Sequence, residues 1–358
     1  MSPPAATSAD LGGDGHQSVS QREARGNGNW RADGENGAFA VVSPDADETR
    51  PECADSPFPP IVVLVGPTAV GKSAMALELA TEFGMDIISA DSRQVYRYLD
   101  IGTAKPTRPE QAAVPHHMID LVEPSETYTA GRYRDEGERI LNRLGAEGRP
   151  ALIVGGTGFY IRALLDVQSY PEVPPNATLR DELAAIAAER GTAALHARLV
   201  RVDPASAARI HRNNVNRVIR ALEIVTAIGE PVPPLRGTTR PALFLGLTME
   251  RGALRRQADA RVLSQVRAGL PEETRLAIAM GYSPDLPALQ GFGYRQMVAY
   301  VQGKMSLPDA IEGYANAQHR FIRRQMTWFN ADARIHWIDQ GPNALDSIRQ
   351  QVRAYLAR

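Results

Sequence analysis

The feature that most constrains this chain is the octapeptide GPTAVGKS at residues 66–73, which directly follows the apolar run IVVLV at 61–65. A run of that length with no polar break suits a strand buried on both faces of a sheet. Residues 73–83 then place Met75, Leu77, Leu79, Ala80 and Phe83 in a helical pattern. Strand, glycine-rich loop and helix together make a phosphate loop of the form G-x-x-x-x-G-K-[ST]. Its chemistry follows from the backbone. Gly66 and Gly71 let N–H groups wrap an anion, and the helix N-terminus adds partial positive charge. Lys72 supplies a point charge to the terminal phosphate, and the Ser73 hydroxyl suits a Mg2+ ligand. Gly66, Pro67, Thr68, Ala69, Val70, Gly71, Lys72 and Ser73 are the candidate phosphate-binding set.

Residues 85–90 and 151–154 read as further buried strands, and 129–146 as an amphipathic helix between them. Strand alternating with helix predicts an α/β fold, a doubly wound and mainly parallel P-loop sheet. Beyond residue 165 the pattern changes. Pro171, Pro174 and Pro175 interrupt the chain, and 179–190, 192–201 and 214–228 read as helices ended by Gly229 and a run of prolines. The expectation is a small all-helical domain inserted at 166–238, dividing a P-loop core of 58–165 and 239–358. The second part of the core holds strands at 242–247 and 335–338 and helices at 251–268, 307–330 and 344–357.

Residues 1–57 carry Gly, Asp, Ser, Asn and Pro with isolated apolar residues, a composition that cannot offset its ordering entropy and is expected to be a disordered tail. That tail also hides the charge of the rest. It holds ten acidic and four basic residues, leaving 31 acidic and 36 basic in residues 58–358. The folded part is mildly basic, which permits an anionic partner. The single cysteine, Cys53, leaves no disulfide framework or cysteine metal site and points to the cytoplasm. No run is long enough to span a bilayer, and the N-terminus lacks the features of a secretory signal.

A phosphate loop does not imply ATP. Phosphoryl-transfer enzymes of this class usually carry an acid at the end of a later buried strand to hold magnesium. Here ALIVGG and ALFLGL end without one, and the strand-terminal acid is Asp91, in MDIISADSRQVY. The loop can therefore hold a diphosphate as a leaving group. Asp91 follows a strand expected to lie beside the P-loop strand. It reads equally as a general base for a nucleophilic amine, as a cap for the following turn, or as an outer ligand of magnesium.

Seven segments, GPTAVGKS, ISADSRQVYRYLDIGTAKP, VPHHMIDLVEPSETYTAGRYR, VGGTGFYIRALL, DPASAARIHRNNVNRVIRALEI, GFGYRQM and RRQMTWF, fall in one order along residues 61–338. In order and spacing the chain resembles the bacterial tRNA dimethylallyltransferases. The resemblance implies transfer of a dimethylallyl group from dimethylallyl diphosphate, with Mg2+, to N6 of the adenosine at tRNA position 37 in the anticodon stem-loop. It makes Asp91 the general base, Arg261 the stabiliser of the departing diphosphate, and Ser73 and Lys72 its holders. It also implies tRNA contacts from Asp91, Ser92, Arg93 and Gln94, from Thr157 and Arg180, from Asn216, Arg217, Val218, Ile219 and Arg220, and from Gln290, Gly291, Phe292, Gly293, Tyr294 and Arg295. A monomer is the implied state.

The residues themselves carry part of that expectation. Residues 190–220 hold seven arginines against one acid, Asp203, which suits a phosphate backbone. His319, Arg320, Arg323 and Arg324 form a second basic cluster beside Trp328, which is expected to be buried. Phe292 and Tyr294 can stack on bases or simply pack. His116 and His117, adjacent on an extended segment, face opposite ways and do not make a metal pair. Three departures from the family pattern stand out: Gln257-Ala258 in place of Arg-Ile, Asn214 in place of aspartate, and Arg212 in place of proline. The competing activities are prenylation of free AMP, ADP or ATP, a small-molecule kinase, and RNA binding without catalysis.

Overall fold

The structure is a computed structural model describing residues 58–168, 173–233, 237–291 and 293–358. The expected tail at 1–57 and the Phe292 contact lie outside these residues. β1 (Ile61–Val65) leads through the phosphate loop into α1 (Lys72–Phe83) and β2 (Asp86–Ala90). α2 (Arg108–Ala113), the two-residue β3 (His116–His117), α3 (Ala130–Ala146), β4 (Ala151–Gly155) and α4 (Gly158–Leu165) follow. β5 (Asp166–Gln168) opens the insertion, which holds α5 (Ala177–Arg190), α6 (Thr192–Val202), α7 (Pro204–Arg209) and α8 (Val215–Ile228) and closes with β6 (Gly237–Thr239). The chain then returns through β7 (Leu243–Thr248), α9 (Arg251–Arg267), α10 (Leu270–Ala279), α11 (Tyr294–Val301), α12 (Leu307–Asn330), β8 (His336–Asp339) and α13 (Ala344–Leu356).

Six strands form one all-parallel sheet in the order β3-β2-β4-β1-β7-β8. Every residue of β1, β2 and β4 is buried, as strands covered on both faces require. Successive side chains point to opposite faces. Ile61, Val63 and Val65 therefore join a core with Tyr133, Leu164, Met297 and Phe329. Val62 and Leu64 join a second core with Leu79, Leu247, Ile348 and Val352. The sheet is thus sandwiched between two helical layers. The order corrects one expectation: β2 pairs with β4, not with β1, so Asp91 stands two strands away from the phosphate loop. The interval between them becomes the floor of a cavity.

The insertion has its own core, in which Leu183, Leu195, Leu199, Val218 and Leu222 are buried together. The chain enters and leaves it through an antiparallel ribbon of β5 and β6, which the sequence did not predict. α12 starts where Ser306 accepts a hydrogen bond from Asp309 N, with Pro308 in its first turn and Asp309 favouring the dipole. Its 24 residues make a rod of about 36 Å that carries side chains to the phosphate loop.

Candidate active site

The phosphate loop is built around two glycines that no other residue can replace cheaply. Gly66 has φ +145°, and a Cβ there would lie 2.5 Å from the Leu247 carbonyl oxygen. Gly71 has φ +95° and occupies the N-cap position of α1 without any side-chain cap. No acid sits in the first turn of α1, so the partial positive charge of that terminus faces the cavity uncompensated. Lys72 Nζ folds back onto the loop, donating to Gly66 O at 2.9 Å and Pro67 O at 2.8 Å. Crowding by the surrounding protein, then the charge of Arg261, hold its pKa down to about 7, with Asp91 partly offsetting them. Lys72 as a residue is half-buried and lines the cavity, where a bound anion would favour its charged form.

Asp91 continues β2 past its last residue. Its Oδ1 accepts a hydrogen bond from Arg93 N at 2.8 Å, closing a tight turn, and the carboxylate lines the cavity. The turn cap takes up Oδ1, and capping the turn does not by itself exclude a base role for the carboxylate. Neighbouring groups lock this turn. Thr157 N donates to Ala90 O at 3.0 Å, and Ser92 N donates to Thr157 Oγ1 at 3.1 Å. Gln94 accepts from Ser89 Oγ at 2.7 Å and donates to Ala104 O at 3.1 Å.

Lys72, Ser73, Asp91 and Arg261 line one cavity of about 580 Å³. Its floor is the sheet edge at Ser89, Val154 and Gly155, and one wall is α9 through Gln257, Ala260, Arg261 and Ser264. Arg261 is half-buried and lies within electrostatic reach of Lys72 and Tyr314. His116 lines the far end, its Nδ1 on Val114 O at 2.8 Å, while His117 turns away to Asp86 at 2.7 Å. β4 and β7 end without a carboxylate, and the first acid after β7, Glu250, is spent capping α9 through Gly252 N and Ala253 N.

The structure sorts the expected tRNA contacts. Asp91–Gln94 and the 290–295 segment meet, for Arg93 donates to Pro287 O at 2.7 Å and a Cβ on Gly291 would lie 3.1 Å from its guanidinium. Gln290 and Arg295 are exposed beside it. Tyr294 is not available for stacking. It is buried, donates its hydroxyl to Glu273 at 2.6 Å and accepts from Gly102 N at 3.1 Å. Gly293, at φ +92°, lies against the Tyr314 ring. Val218 and Ile219 are likewise buried, in the insertion core, because they fall on the inner face of α8. Asn216 and Arg217 are exposed, while Arg220 and Arg180 are tied to Glu223. The basic stretch is more one-sided than its composition shows. Asp203, its lone acid, is fully buried and accepts from Ser206 N and Val232 N at 2.9 and 3.0 Å. Trp328 is half-buried, with the Arg162 guanidinium over its ring, and His319 pairs with Asp259 at 2.7 Å.

A sequence model of the family described as IPP transferase matches residues 94–332, and one described as isopentenyl transferase matches residues 59–119. The chain belongs to the IPP transferase family. The tRNA dimethylallyltransferase of Thermomicrobium roseum is 44% identical over 301 residues, covering 83% of this chain and 92% of that one. That of a Roseiflexus species is 45% identical over 273 residues, covering 75% and 90%. The crystal structure of the full-length tRNA isopentenylpyrophosphate transferase from Bacillus halodurans matches with a TM-score of 0.63 at 36% identity, covering 83% of this chain and 97% of that one. This member of the family is thus an enzyme, a prenyl-group transferase built on a P-loop sheet.

Sequence reasoning missed the groups that support the site. Glu273 accepts from Asp100 N and Ile101 N, both at 2.8 Å, and Gln265 donates to Ile101 O at 2.6 Å. Together with Tyr294 they hold the 100–106 loop against the cavity. Nothing in the local pattern of α9 or α10 marks these residues, because a glutamate or glutamine on a helix reads as solvated surface until a loop is packed on it.

Proposed function

We propose that the enzyme transfers the dimethylallyl group of dimethylallyl diphosphate to N6 of adenosine 37 of tRNA, yielding N6-(dimethylallyl)adenosine and diphosphate. One observation carries the reading. An anion cradle and a carboxylate with an oxygen to spare line the same cavity, and β4 and β7, the two strands that flank β1, end without the acid that phosphoryl transfer uses. In this mechanism the N6 lone pair forms a bond to C1 of the allylic chain as the C1–O bond breaks. The N6 proton passes to the Asp91 carboxylate, and the diphosphate keeps the bonding electrons. The cradle, Lys72 and Arg261 stabilise the charge that develops on the departing oxygens.

The chain's residues fit a magnesium ion delivered with the substrate. Among the described residues no group of three or more His, Cys, Asp or Glu is arranged to hold a metal. The Ser73 hydroxyl is exposed at the start of α1 and would complete a shell made mostly of phosphate oxygens and water. When bound, magnesium supplies charge neutralisation on the leaving group. The target base must leave its stack to reach the cavity, and the exposed arginines at 190, 198, 201, 209, 212 and 217 suit the flanking phosphates. The enzyme works as a monomer in the cytoplasm on this reading. No helix among the described residues is long and apolar enough to cross a membrane.

The test is transfer of labelled dimethylallyl diphosphate, with magnesium, to unmodified tRNA, AMP and ATP in parallel. Label should enter tRNA alone, and Asp91→Asn should lower kcat by at least ~100-fold, the scale of general-base catalysis, with tRNA binding intact. Label in AMP or ATP would replace the tRNA reading. ATP consumption without prenyl transfer would refute it.

A further inference from the structure

α12 reaches the phosphate loop through Gln325, a side chain to which neither the phosphate-binding motif nor the mechanism above gives a role. Gln325 is 4% exposed, and the two ends of its amide are engaged by two different loops. Its Oε1 accepts from Thr68 N at 2.9 Å and from Thr68 Oγ1 at 3.1 Å. Its Nε2 donates to Gly156 O at 3.1 Å. Thr68 belongs to the phosphate loop after β1, and Gly156 to the turn after β4. The next residue, Thr157, is the one bonded to Ala90 O and Ser92 N on either side of Asp91. A continuous chain of hydrogen bonds thus runs from the anion cradle through Gln325 to the base. Space around the link is closed: a Cβ on Gly156 would collide with the Gln325 amide nitrogen.

β1 and β4 pair directly, but the loops leaving their C-terminal ends have no hydrogen bond to each other among the described residues. We infer that Gln325 is a positioning residue that sets the separation between the diphosphate cradle and the loop holding Asp91. The amide suits the link because one end accepts from Thr68 while the other donates to Gly156. A glutamate loses the donor and a lysine the acceptor. The inference rests on the prenyl-transfer reading for its catalytic consequence. An in-line displacement needs N6, C1 and the leaving oxygen held together, and a slip of about 1 Å costs on the order of 100-fold in rate.

The test uses the full-length enzyme with Gln325→Met, Gln325→Glu, Thr68→Val and the double variant Thr68→Val/Gln325→Met. At saturating tRNA and donor, Gln325→Met and Gln325→Glu should each lower kcat by about 10- to 100-fold. The KM for tRNA should stay within about threefold, and the melting temperature within a few degrees, since the substitution leaves the helix and its packing in place. The double variant should be no worse than the poorer single variant, as expected when both residues act through one link. A kcat within about threefold of wild type for Gln325→Met, or multiplying effects in the double variant, would overturn the assignment. Calorimetry with inorganic diphosphate and magnesium gives a second readout. Gln325→Met should weaken diphosphate by roughly tenfold because the cradle loses its outer support, and unchanged affinity counts against the proposal. A wild-type enzyme that moves no prenyl group would defeat the parent reading, while the calorimetric arm would still decide the role of Gln325.

Discussion

Replacing Glu223 with glutamine should weaken the helical insertion by a predictable and pH-dependent amount. The carboxylate is 1% exposed and receives four donors. Oε1 accepts from Asn176 N at 2.7 Å and Arg180 Nε at 2.9 Å, and Oε2 accepts from a second Arg180 nitrogen at 2.9 Å and from Arg220. Burial alone would raise its pKa. The hydrogen bonds from Arg180, Asn176 and Arg220 outweigh that and bring it down to about 2. Against an unfolded value of 4.5, a difference of about 2.5 pH units corresponds to roughly 3 kcal/mol. The arginine side chains remain 42% and 37% exposed, so water screening reduces this to about 2 kcal/mol.

The folded pKa lies below the unfolded one, so this stability is complete above about pH 4.5 and disappears as pH falls through about 2. Urea melts of wild type and Glu223→Gln should therefore differ by about 2 kcal/mol at pH 7 and by about half that at pH 3. Other carboxylates titrate over the same range, but they titrate in both proteins and cancel in the difference. A gap under about 0.5 kcal/mol at pH 7 would refute the reasoning, as would a gap that is unchanged at pH 3. Glu223 also aims two of the expected tRNA-contacting arginines. The variant should accordingly raise the KM for tRNA while leaving kcat at saturation unchanged.

Three further outcomes follow from the same geometry. Gly66→Ala combines a φ of +145° with a Cβ 2.5 Å from Leu247 O, so it should cost at least ~2 kcal/mol in a thermal melt and raise the donor KM. A fully stable variant would show that the loop is not held as described. Arg217→Ala should lower the slope of log affinity for tRNA against log salt by about 1, and an unchanged slope would remove that arginine from the phosphate contacts. Tyr294→Phe deletes the hydroxyl shared with Glu273 and Gly102, and should cost about 1 kcal/mol of stability with tRNA affinity intact. Lost affinity at full stability would instead return the ring to the RNA surface.

What was legible in the sequence is what short-range physics dictates. β1 and the phosphate loop were readable because an unbroken apolar run and two glycines leave little else to do, and α12 because its apolar residues keep a helical period. Asp91 could be singled out as a strand-end acid, but its place two strands from the loop could not, since strand order depends on pairings between distant segments. Tyr294, Val218 and Ile219 sit inside motifs that resemble tRNA contacts, yet all three face inward. A motif records which residues must stay together, and that requirement covers a tyrosine that props a loop as well as an arginine that meets a phosphate. Tyr294 and Gly102 make the case directly: a Cβ on Gly102 would lie 2.5 Å from the Tyr294 ring, so GFGYRQM and DIGTAKP constrain each other by contact. Part of the sequence signal that points to RNA is therefore the signature of two loops packed together beneath the site that would receive it.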